Sequence, residues 1–435
     1  MQQLAAEQNN VVPMTINFRV NTKTGMPVPN SINNVVLALE HDPLLMNTFR
    51  YNEFTHEVDV VNPIQQMHIA KGQMVDEIVS LCLNYLEKKY YVLFNDKAFN
   101  AAMIQVSRDN AYNPVKEYME RAYQHWDKKE RADSFLPTFL GAPMSPVTTL
   151  ITKLFFVGAV AKVYQPDMKF DYVLDLVGGQ GAGKTTLLKR MGGQYYTDQF
   201  TDFKDKDSYA IMLRALILND DEMTATNNSS FEDLKKFVST EQLEFRSPYN
   251  RRPERRANSF VMARTTNEDT YLKDKTGERR FLPIMADLDA QVYHPVTDLK
   301  PPLVEQLWGE FVSYYKAGFS FALTKDQVQM LEEHRRNFMY VDAVEDEIER
   351  LLQTWHDDFI TSNQLASLMG ENNLVTNRAL AKKIKYIMDN QPGWRAKKKR
   401  IDGLSTRAMS GGWSLVVTKW SLNCELVTTP RPAWP

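Results

Sequence analysis

Residues 178–185 read GGQGAGKT, in which a glycine is followed after four residues by glycine, lysine and threonine, the spacing of a phosphate-binding loop. Glycines allow backbone N–H groups to approach phosphate oxygens, and the helix that follows such a loop directs its positive end at them. Lys184 is expected to contact the β- and γ-phosphates, and the hydroxyl of Thr185 to hold Mg²⁺. An apolar run precedes the loop and LLKRM continues it as a helix, which favours a nucleoside triphosphate site over a chance match. The predicted nucleotide-binding residues are Gly178, Gly181, Gly183, Lys184, Thr185 and Thr186.

A group of acidic residues follows the apolar run 216–218, at the end of a predicted strand. An aspartate at such a position can hold Mg²⁺ through its waters, and an adjacent glutamate can activate the attacking water. We assign Asp221 to the metal and Glu222 to the general base. The alternative interpretation is a solvated acidic turn, which the upstream phosphate loop makes the weaker one.

Two further polar segments complete the predicted catalytic set. The segment 259–267, SFVMARTTN, ends a predicted strand in Asn267, whose amide could sense the γ-phosphate and orient water. The segment 276–281, TGERRF, places Arg279 and Arg280 after a glycine, which suits an arginine finger directed at a neighbouring subunit's nucleotide. The alternative for these arginines is a surface ion pair with a nearby acid.

An arginine-rich segment, 245–256, lies between the acidic strand and the strand that ends in Asn267. Guanidinium groups bind phosphates well, and a tyrosine offers a stacking face for a base, so the segment is predicted to contact DNA. The alternative is an arginine-rich surface between subunits. The residues assigned to DNA here are Arg246, Tyr249, Arg251 and Arg252, with Arg255 and Arg256 in the same cluster.

A second basic region spans residues 378–407, which contain ten lysines and arginines against two aspartates. Such a concentration in a chain of net charge −2 predicts contacts to DNA phosphates. A solvated face or a site for a partner protein remains the alternative. The residues assigned to DNA in this region are Lys382, Lys383, Lys397, Lys398, Lys399 and Arg400.

The elements that must position these groups follow from hydrophobic periodicity. Short apolar runs alternate with helical patterns from about residue 170, which predicts an α/β core with a mostly parallel sheet. Its predicted strands are 172–177, 214–219 and 259–264, and its predicted helices are 185–191 and 231–238. The region before it is predicted to be mainly helical, with helices at 74–90, 114–126 and 146–164.

The C-terminal region shows helical patterns at 325–337, 344–355, 360–369 and 378–389, and a turn into a strand at 410–416. Three helices followed by a hairpin is the order of a winged-helix module. The predicted organisation is a flexible tail at 1–13, a mainly helical region at 14–145, the α/β core at 146–325 and a winged-helix-like DNA-binding module at 326–435.

The bulk composition is that of a globular protein, with 43% hydrophobic and 24% charged residues. The two cysteines, Cys82 and Cys424, lie far apart in the sequence, which excludes a disulfide framework and a cysteine-based zinc site and favours a reducing cytoplasm. The amino terminus lacks the pattern of a signal peptide. No apolar run reaches the length of about 18 residues that predicts a membrane span.

Taken in order, the four motifs resemble the virulence-associated protein E family, the superfamily 3-type AAA+ helicases of phages and chromosomal (pathogenicity) islands. The resemblance covers about residues 145–285 and rests on AVAKVYQPDMKFDYVLDLVGGQGAGKTTLL, ILNDDEM, FRSPYNRR and RTTNEDTYLKDKTGERRFLPI. It implies an AAA+ P-loop core and a hexameric ring that hydrolyses ATP at subunit interfaces and moves along single-stranded DNA. The arginine finger falls on Arg279 or Arg280, and the sequence does not choose between them.

Two positions depart from the family pattern. Asn219 stands where the family usually has a glutamate, which leaves open whether Asp220 shares the metal role. Arg264 stands where a small residue is usual, and it is interpreted as a further nucleotide or intersubunit contact.

The function expected from these features is an ATP-dependent DNA helicase and replication initiator that acts as a ring in a bacterial host cytoplasm. Its expected cofactors are ATP and Mg²⁺, and its expected partners are single-stranded and forked DNA, origin duplex DNA and further copies of the chain, without a membrane. The first alternative is an origin-binding initiator or loader that does not unwind processively. The second is a signalling P-loop ATPase whose basic regions bind proteins. The N-terminal region could form a collar that helps rings assemble.

Overall fold

A computed structural model of the chain describes residues 16–411, apart from 246–252, 273–277, 341–342, 358, 372–373, 375, 392 and 402–403. The predicted tail at 1–13 and most of the strand predicted at 410–416 therefore lie outside the described residues. The chain divides into two compact units, of which the first ends at Met339 and the second begins at Tyr340.

The first unit begins with a small α+β layer that has its own hydrophobic core. It consists of α1 (Ile32–His41), β1 (Phe49–Asn52), β2 (Glu57–Val60), β3 (Gly72–Gln73), α2 (Asp76–Tyr90) and α3 (Asp96–Asp109). The strands form an antiparallel sheet in the order β1-β2-β3, which the sequence analysis did not predict because the strands are only two to four residues long. Ser31 and Asn95 cap the amino ends of α1 and α3.

Three helices connect this layer to the central sheet: α4 (Pro114–His125), α5 (Ala132–Leu140) and α6 (Pro146–Tyr164). Proline at the first position and a capping asparagine or serine start α4 and α6. Helix α6 is long and apolar enough to cross a membrane by composition alone, but 78% of its most apolar window is buried within the protein, as in a core helix. Because α4, α5 and α6 share one core with the sheet, no structural division falls at the predicted boundary between residues 145 and 146.

The central sheet has five parallel strands in the order β10-β4-β9-β6-β5, and it confirms the predicted α/β fold class. Its strands are β4 (Val173–Val177), β5 (Tyr196–Thr197), β6 (Ile217–Asp220), β9 (Val261–Thr266) and β10 (Phe281–Met285). The associated helices are α7 (Lys184–Gly192), α8 (Lys206–Met212), α9 (Thr224–Asn228), α10 (Phe231–Val238) and α11 (Pro301–Lys316).

Both faces of this sheet are buried, as is usual for parallel strands. Successive strand residues alternate between two hydrophobic clusters, so Leu174 faces α6, α7 and α11 while Val173 faces α8 and α10. Between β6 and β9 the chain forms an antiparallel hairpin of β7 (Gln242–Phe245) and β8 (Glu254–Ala257).

Helix α12 (Lys325–Arg336) belongs to the first unit, although the sequence analysis placed it in the C-terminal module. Leu331 is buried in the core that includes α6 and α11, and His334 Nε2 lies 2.8 Å from the backbone oxygen of Pro283 in β10. The division between the two units therefore falls after Met339, whereas the sequence analysis predicted a boundary between residues 325 and 326.

The second unit consists of α13 (Ala343–Gln353), β11 (Phe359–Ile360), α14 (Ser362–Leu368), α15 (Arg378–Asn390), β12 (Trp394–Ile401) and β13 (Leu404–Gly411). Ile348, Ile360, Leu365 and Ile384 form its core. Three helices precede a hairpin, in the predicted order. The short strand β11 pairs with β13 and makes a three-stranded sheet that the sequence analysis did not anticipate.

Candidate active site

The phosphate-binding loop connects the end of β4 to the start of α7, at the edge where the carboxyl ends of the parallel strands meet. Two of its glycines are required by space and by backbone conformation. Gly178 has φ +132°, and a Cβ there would lie 2.2 Å from the backbone oxygen of Ala286. Gly183 has φ +77°, and a Cβ there would lie 2.9 Å from a side-chain carbon of Pro295. The predicted loop conformation therefore depends on close packing against the chain that follows β10.

Lys184 lies within the loop and is only 7% exposed. Its Nζ donates to the backbone oxygens of Gly178 and Gly179 over 2.5 and 2.9 Å, and to Oδ1 of Asn267 over 3.0 Å. Burial lowers the pKa of Lys184, although the nearby carboxylates of Asp221 and Glu222 oppose the shift. The structure thus brings Lys184 and Asn267 together, and their contacts to nucleotide phosphates stay predictions.

Asp221 is held beside the loop by three donors that act on one carboxylate oxygen. Its Oδ1 accepts from Thr185 Oγ1 at 2.7 Å, from Thr265 Oγ1 at 2.8 Å and from Asn219 Nδ2 at 3.2 Å. Among the described residues, none donates a hydrogen bond to Oδ2 of Asp221. The protein therefore holds this carboxylate through only one of its two oxygens.

Asp220 has a different task, although it is adjacent in sequence. It is 1% exposed, and it accepts hydrogen bonds from the backbone N–H groups of Ala225 and Thr226 and from the Thr226 hydroxyl. Burial raises the pKa of Asp220, and these hydrogen bonds oppose the shift. The carboxylate of Asp220 therefore caps α9, whereas the hydroxyl of Thr185 donates to Asp221.

The turn after Asp221 carries two consecutive residues in the left-handed backbone region. Glu222 has φ +53° and Met223 has φ +51°, and neither is glycine. Each such residue costs on the order of 1–3 kcal/mol and persists only where its surroundings fix it. The Glu222 N–H donates to Thr265 Oγ1 over 3.0 Å, and the side chain of Glu222 is exposed. The sequence analysis did not detect this strain.

Thr265 and Asn219 are site residues that the sequence analysis did not assign. Thr265 lies on β9 two positions before Asn267, which follows the end of the strand, and this spacing was a usable signal. Asn219 is fully buried and bridges Asp221 to the hydroxyl of Tyr196, which accepts from Nδ2 over 2.9 Å. Thr186, which was predicted to bind nucleotide, is half-buried on α7 next to Thr185.

A segment after β10 also contacts the loop. Gln291 Nε2 donates to the backbone oxygen of Ala182 over 2.7 Å, and His294 Nε2 lies 3.0 Å from the backbone oxygen of Gly181. These contacts, together with Pro295 against Gly183, make the segment a wall of the phosphate loop. No local sequence pattern indicated it, because the partners are more than 100 residues apart.

Arg264 is neither a nucleotide contact nor an intersubunit contact, so that interpretation is corrected. It is 1% exposed and forms a bidentate ion pair with the buried Asp175 of β4, with N–O distances of 2.7 and 2.6 Å. Its guanidinium also lies 4.2 Å from the ring centre of Phe281, and the Tyr271 hydroxyl donates to Asp175. The positive charge of Arg264 is therefore neutralised inside the sheet, and the contacts of its side chain connect β9 with β4 and β10.

Arg279 and Arg280 precede β10 at the opposite end of the sheet from the phosphate loop. Phe281 pairs with Val173 at the start of β4, whereas the loop leaves the end of β4, so the arginines are separated from it by about 16 Å of strand. Arg280 is half-buried, and its Nε donates to Ser239 Oγ over 3.1 Å and lies 3.7 Å from Asp171. Arg279 is exposed, so the geometry favours Arg279 as the group that reaches outward.

The described part of the arginine-rich segment belongs to strands β7 and β8, which lie between β6 and β9 in the sequence. Arg246, Tyr249, Arg251 and Arg252 lie outside the described residues, so their predicted DNA contacts stay predictions. Two other arginines of the cluster are paired within the hairpin. These are Arg255, with Glu244 at 2.6 Å, and Arg256, with Glu254 at 2.7 Å.

In the second unit, the predicted DNA-binding lysines lie on α15 and β12. Lys382 is exposed and Lys383 is half-buried on α15, whose Ile384 and Met388 face the core. Lys397 is exposed on β12. Lys398, Lys399 and Arg400 follow it on the same strand, where Lys398 pairs in register with Arg407. The hairpin therefore concentrates positive charge.

The sequence pattern of the virulence-associated protein E-like domain matches residues 119–340. Three solved structures of the NrS-1 C-terminal region are similar to the chain at 13–14% identity. They cover 84% of this chain and 96% of theirs, with TM-scores of 0.43, 0.41 and 0.38. Among curated proteins, none matches the chain.

Proposed function

Because the chain belongs to the virulence-associated protein E-like domain family, whose pattern covers residues 119–340, we propose that it is an ATP-dependent DNA helicase and replication initiator of a phage or chromosomal island. The observation that carries the proposal is the meeting of Lys184, Thr185, Asp221 and Asn267 at one edge of a parallel sheet. A phosphate loop, a carboxylate and a polar sensor in this arrangement suit phosphoryl transfer to water. It would act in the cytoplasm of a bacterial host.

The donor set fits a nucleotide with Mg²⁺. Among the described residues, no cluster of three or more His, Cys, Asp or Glu is arranged as a metal site, so a cation here would depend on Thr185, Asp221 and the phosphates. Mg²⁺ is commonly held this way, with one or two protein oxygens and several waters. When bound, it would neutralise charge on the phosphates.

The chain's own residues have separable tasks in this mechanism. The hydrogen bonds from Lys184 to the loop carbonyls and Asn267 would be exchanged for bonds to phosphate oxygens when nucleotide enters. Glu222, whose side chain is exposed, would accept the proton of the attacking water. Asn267 would orient that water through its amide.

The position of Arg279 supports a site completed by a second copy of the chain. Arg279 and the phosphate loop lie at opposite ends of parallel strands, so an arginine finger must be supplied by a neighbour. A ring of such subunits, expected to be a hexamer, would place the β7–β8 hairpin and its arginines on single-stranded DNA. The basic hairpin of the second unit would hold duplex DNA at a fork or an origin.

The decisive experiment measures ATP hydrolysis and fork unwinding by the full chain. Single-stranded DNA should stimulate hydrolysis, and DNA affinity should fall steeply with salt. Lys184→Ala should abolish turnover, whereas Lys97→Ala, a change at an exposed lysine of α3, should not affect it. Unwinding by the Lys184→Ala variant would refute the proposal.

A loader or initiator is the second candidate, favoured by the basic hairpin of the second unit. It would hydrolyse ATP and bind origin duplex but displace no strand from a fork. A signalling ATPase would show neither stimulation by DNA nor salt-dependent DNA affinity.

A further inference from the structure

A long groove lies beside the phosphate-loop helix and has no role in the mechanism above. One wall comes from α7, where Thr186, Lys189 and Arg190 lie at helical spacing, and from residues 193–195 that follow it. The other walls come from β1–β3, α4 and α11. Its volume is about 1420 Å³, which exceeds the roughly 300–1,000 Å³ of a small-molecule site and suits an extended ligand.

The groove is electropositive in a chain whose net charge is −2, because six lysines and arginines line it against three acids. All three acids are engaged, two of them with cations of the groove, and Glu117 lies 3.8 Å from Arg50. Glu57 forms an ion pair with Arg214. Asp59 accepts hydrogen bonds from Asn52 Nδ2 and the Tyr112 hydroxyl, both at 2.8 Å.

The cations of the groove come from several different elements of the fold. Lys71 is exposed immediately before β3, and Arg190 is exposed on α7, where it makes one 3.3 Å hydrogen bond to a backbone oxygen. Arg121 lies 3.6 Å from Glu305 and stacks its guanidinium 5.2 Å from the ring centre of Tyr118. Separated cations of this kind match a chain of phosphates better than a single phosphate group.

Aromatic rings accompany the cations. Tyr118 and Tyr195 are half-buried and line the groove. Single-stranded nucleic acids bind where a cationic groove tracks the phosphates and aromatic rings stack with bases, without need of base-specific hydrogen bonds.

The groove is connected to the active site by a continuous chain of hydrogen bonds. Lys189 Nζ lies 3.1 Å from Asp198 Oδ2, which also accepts from the Tyr196 hydroxyl over 3.2 Å. That hydroxyl accepts from Asn219, and Asn219 donates to Asp221 Oδ1 over 3.2 Å. A phosphate that drew Lys189 away from Asp198 would therefore act on the carboxylate that faces Thr185.

We propose that this groove binds a segment of single-stranded nucleic acid and that Lys189, Asp198, Tyr196 and Asn219 report its occupancy to Asp221. The binding part is independent of the ATP hydrolase assignment. The reporting part rests on the proposed function, because it requires that Asp221 act in hydrolysis.

The binding part is tested with a photo-reactive benzoylphenylalanine placed at Tyr118 in the full chain and a labelled single-stranded oligonucleotide. The control probe stands at Tyr91, which is 79% exposed outside the groove. We expect cross-linking to the oligonucleotide from position 118 to exceed that from position 91 at least fivefold. The double change Lys71→Glu with Arg190→Glu should reduce it at least fivefold.

The matched control is Arg19→Glu with Lys97→Glu, two exposed cations outside the groove, which should leave the cross-linking at position 118 unchanged. Equal cross-linking from positions 118 and 91 would overturn the proposal. So would cross-linking from position 118 to a protein, since the groove would then be a protein-binding surface.

The reporting part is tested with Tyr196→Phe, which removes the hydroxyl but keeps the ring beneath the Lys189 ammonium. This variant should retain cross-linking at position 118 while the stimulation of ATP hydrolysis by DNA falls at least threefold. Stimulation equal to that of the unmodified chain would overturn the reporting role. If the unmodified chain hydrolysed no ATP, the proposed function would fail while the cross-linking result would still decide whether the groove binds nucleic acid.

Discussion

The hydroxyl of Thr185 donates to Oδ1 of Asp221 over 2.7 Å, across the 36 residues that separate the phosphate loop from the end of β6. The adjacent Asp220 instead caps α9 through three hydrogen bonds and is 1% exposed. Glu222 and Met223, which follow the two aspartates, both have left-handed backbone conformations. The chain therefore changes direction directly after Asp221. Two neighbouring aspartates thus have different tasks.

Asp221→Asn and Asp220→Asn should therefore fail in different ways. Asp221→Asn should lower kcat for ATP hydrolysis at least 100-fold with little change in the free energy of unfolding. Asp220→Asn should instead lower the free energy of unfolding by about 1–3 kcal/mol, because it weakens the buried bonds that hold α9. Steady-state kinetics and denaturant unfolding of both variants measure the contrast. Equal losses of kcat without a loss of stability would contradict the separate tasks.

The buried pair of Arg264 and Asp175 should be structural. Arg264→Ala leaves the carboxylate of Asp175 buried without its cation and should lower the free energy of unfolding by about 3–5 kcal/mol. Arg255→Ala, which breaks an exposed pair with Glu244, should lower it by less than about 1 kcal/mol. A well-packed double change, Arg264→Met with Asp175→Leu, should recover most of the loss. A stable Arg264→Ala variant with impaired assembly would restore the intersubunit interpretation.

Local patterns predicted the elements well where one helix face or one apolar run dominates. Helices 146–164 and 231–238 have the predicted bounds. The first is a long apolar run that starts with a proline, and the second is an amphipathic helix with a serine cap, so local sequence specifies both. The Asp175–Arg264 pair joins residues 89 positions apart, and no local pattern specifies it. Whether Asp220 or Asp221 faces the loop depends on the backbone at Glu222, which residue type does not reveal.

Lys162 should make stability depend on pH. It is 2% exposed, its Nζ donates to the backbone oxygens of Pro166 and Met168, and burial lowers its pKa from 10.5 to about 8. Between these two values the unfolded chain binds the proton more tightly than the folded chain, so stability should rise with pH from about 8 to 10.5, by up to about 3 kcal/mol.

The contribution of Lys162 is measured as the difference between the unmodified chain and Lys162→Met, with the free energy of unfolding determined by urea at pH 7.5 and about pH 10. The difference should shift in favour of the unmodified chain at the higher pH. Parallel pH profiles for both proteins would show that the ammonium of Lys162 titrates as it does in water.

Arg279 should act on a neighbouring subunit, whereas Arg280 should support its own. Arg279→Ala should lower ATP hydrolysis by about 10³-fold or more, since an arginine finger contributes roughly 10³–10⁵ to the rate. Arg280→Ala should mainly lower stability, because its guanidinium contacts Ser239 and Asp171 of the same chain. Mixing the Arg279→Ala protein with the Lys184→Ala protein should restore part of the hydrolysis, because a phosphate loop from the first can meet a finger from the second. Each variant alone serves as the control, and a mixture as inactive as its components would place the finger elsewhere.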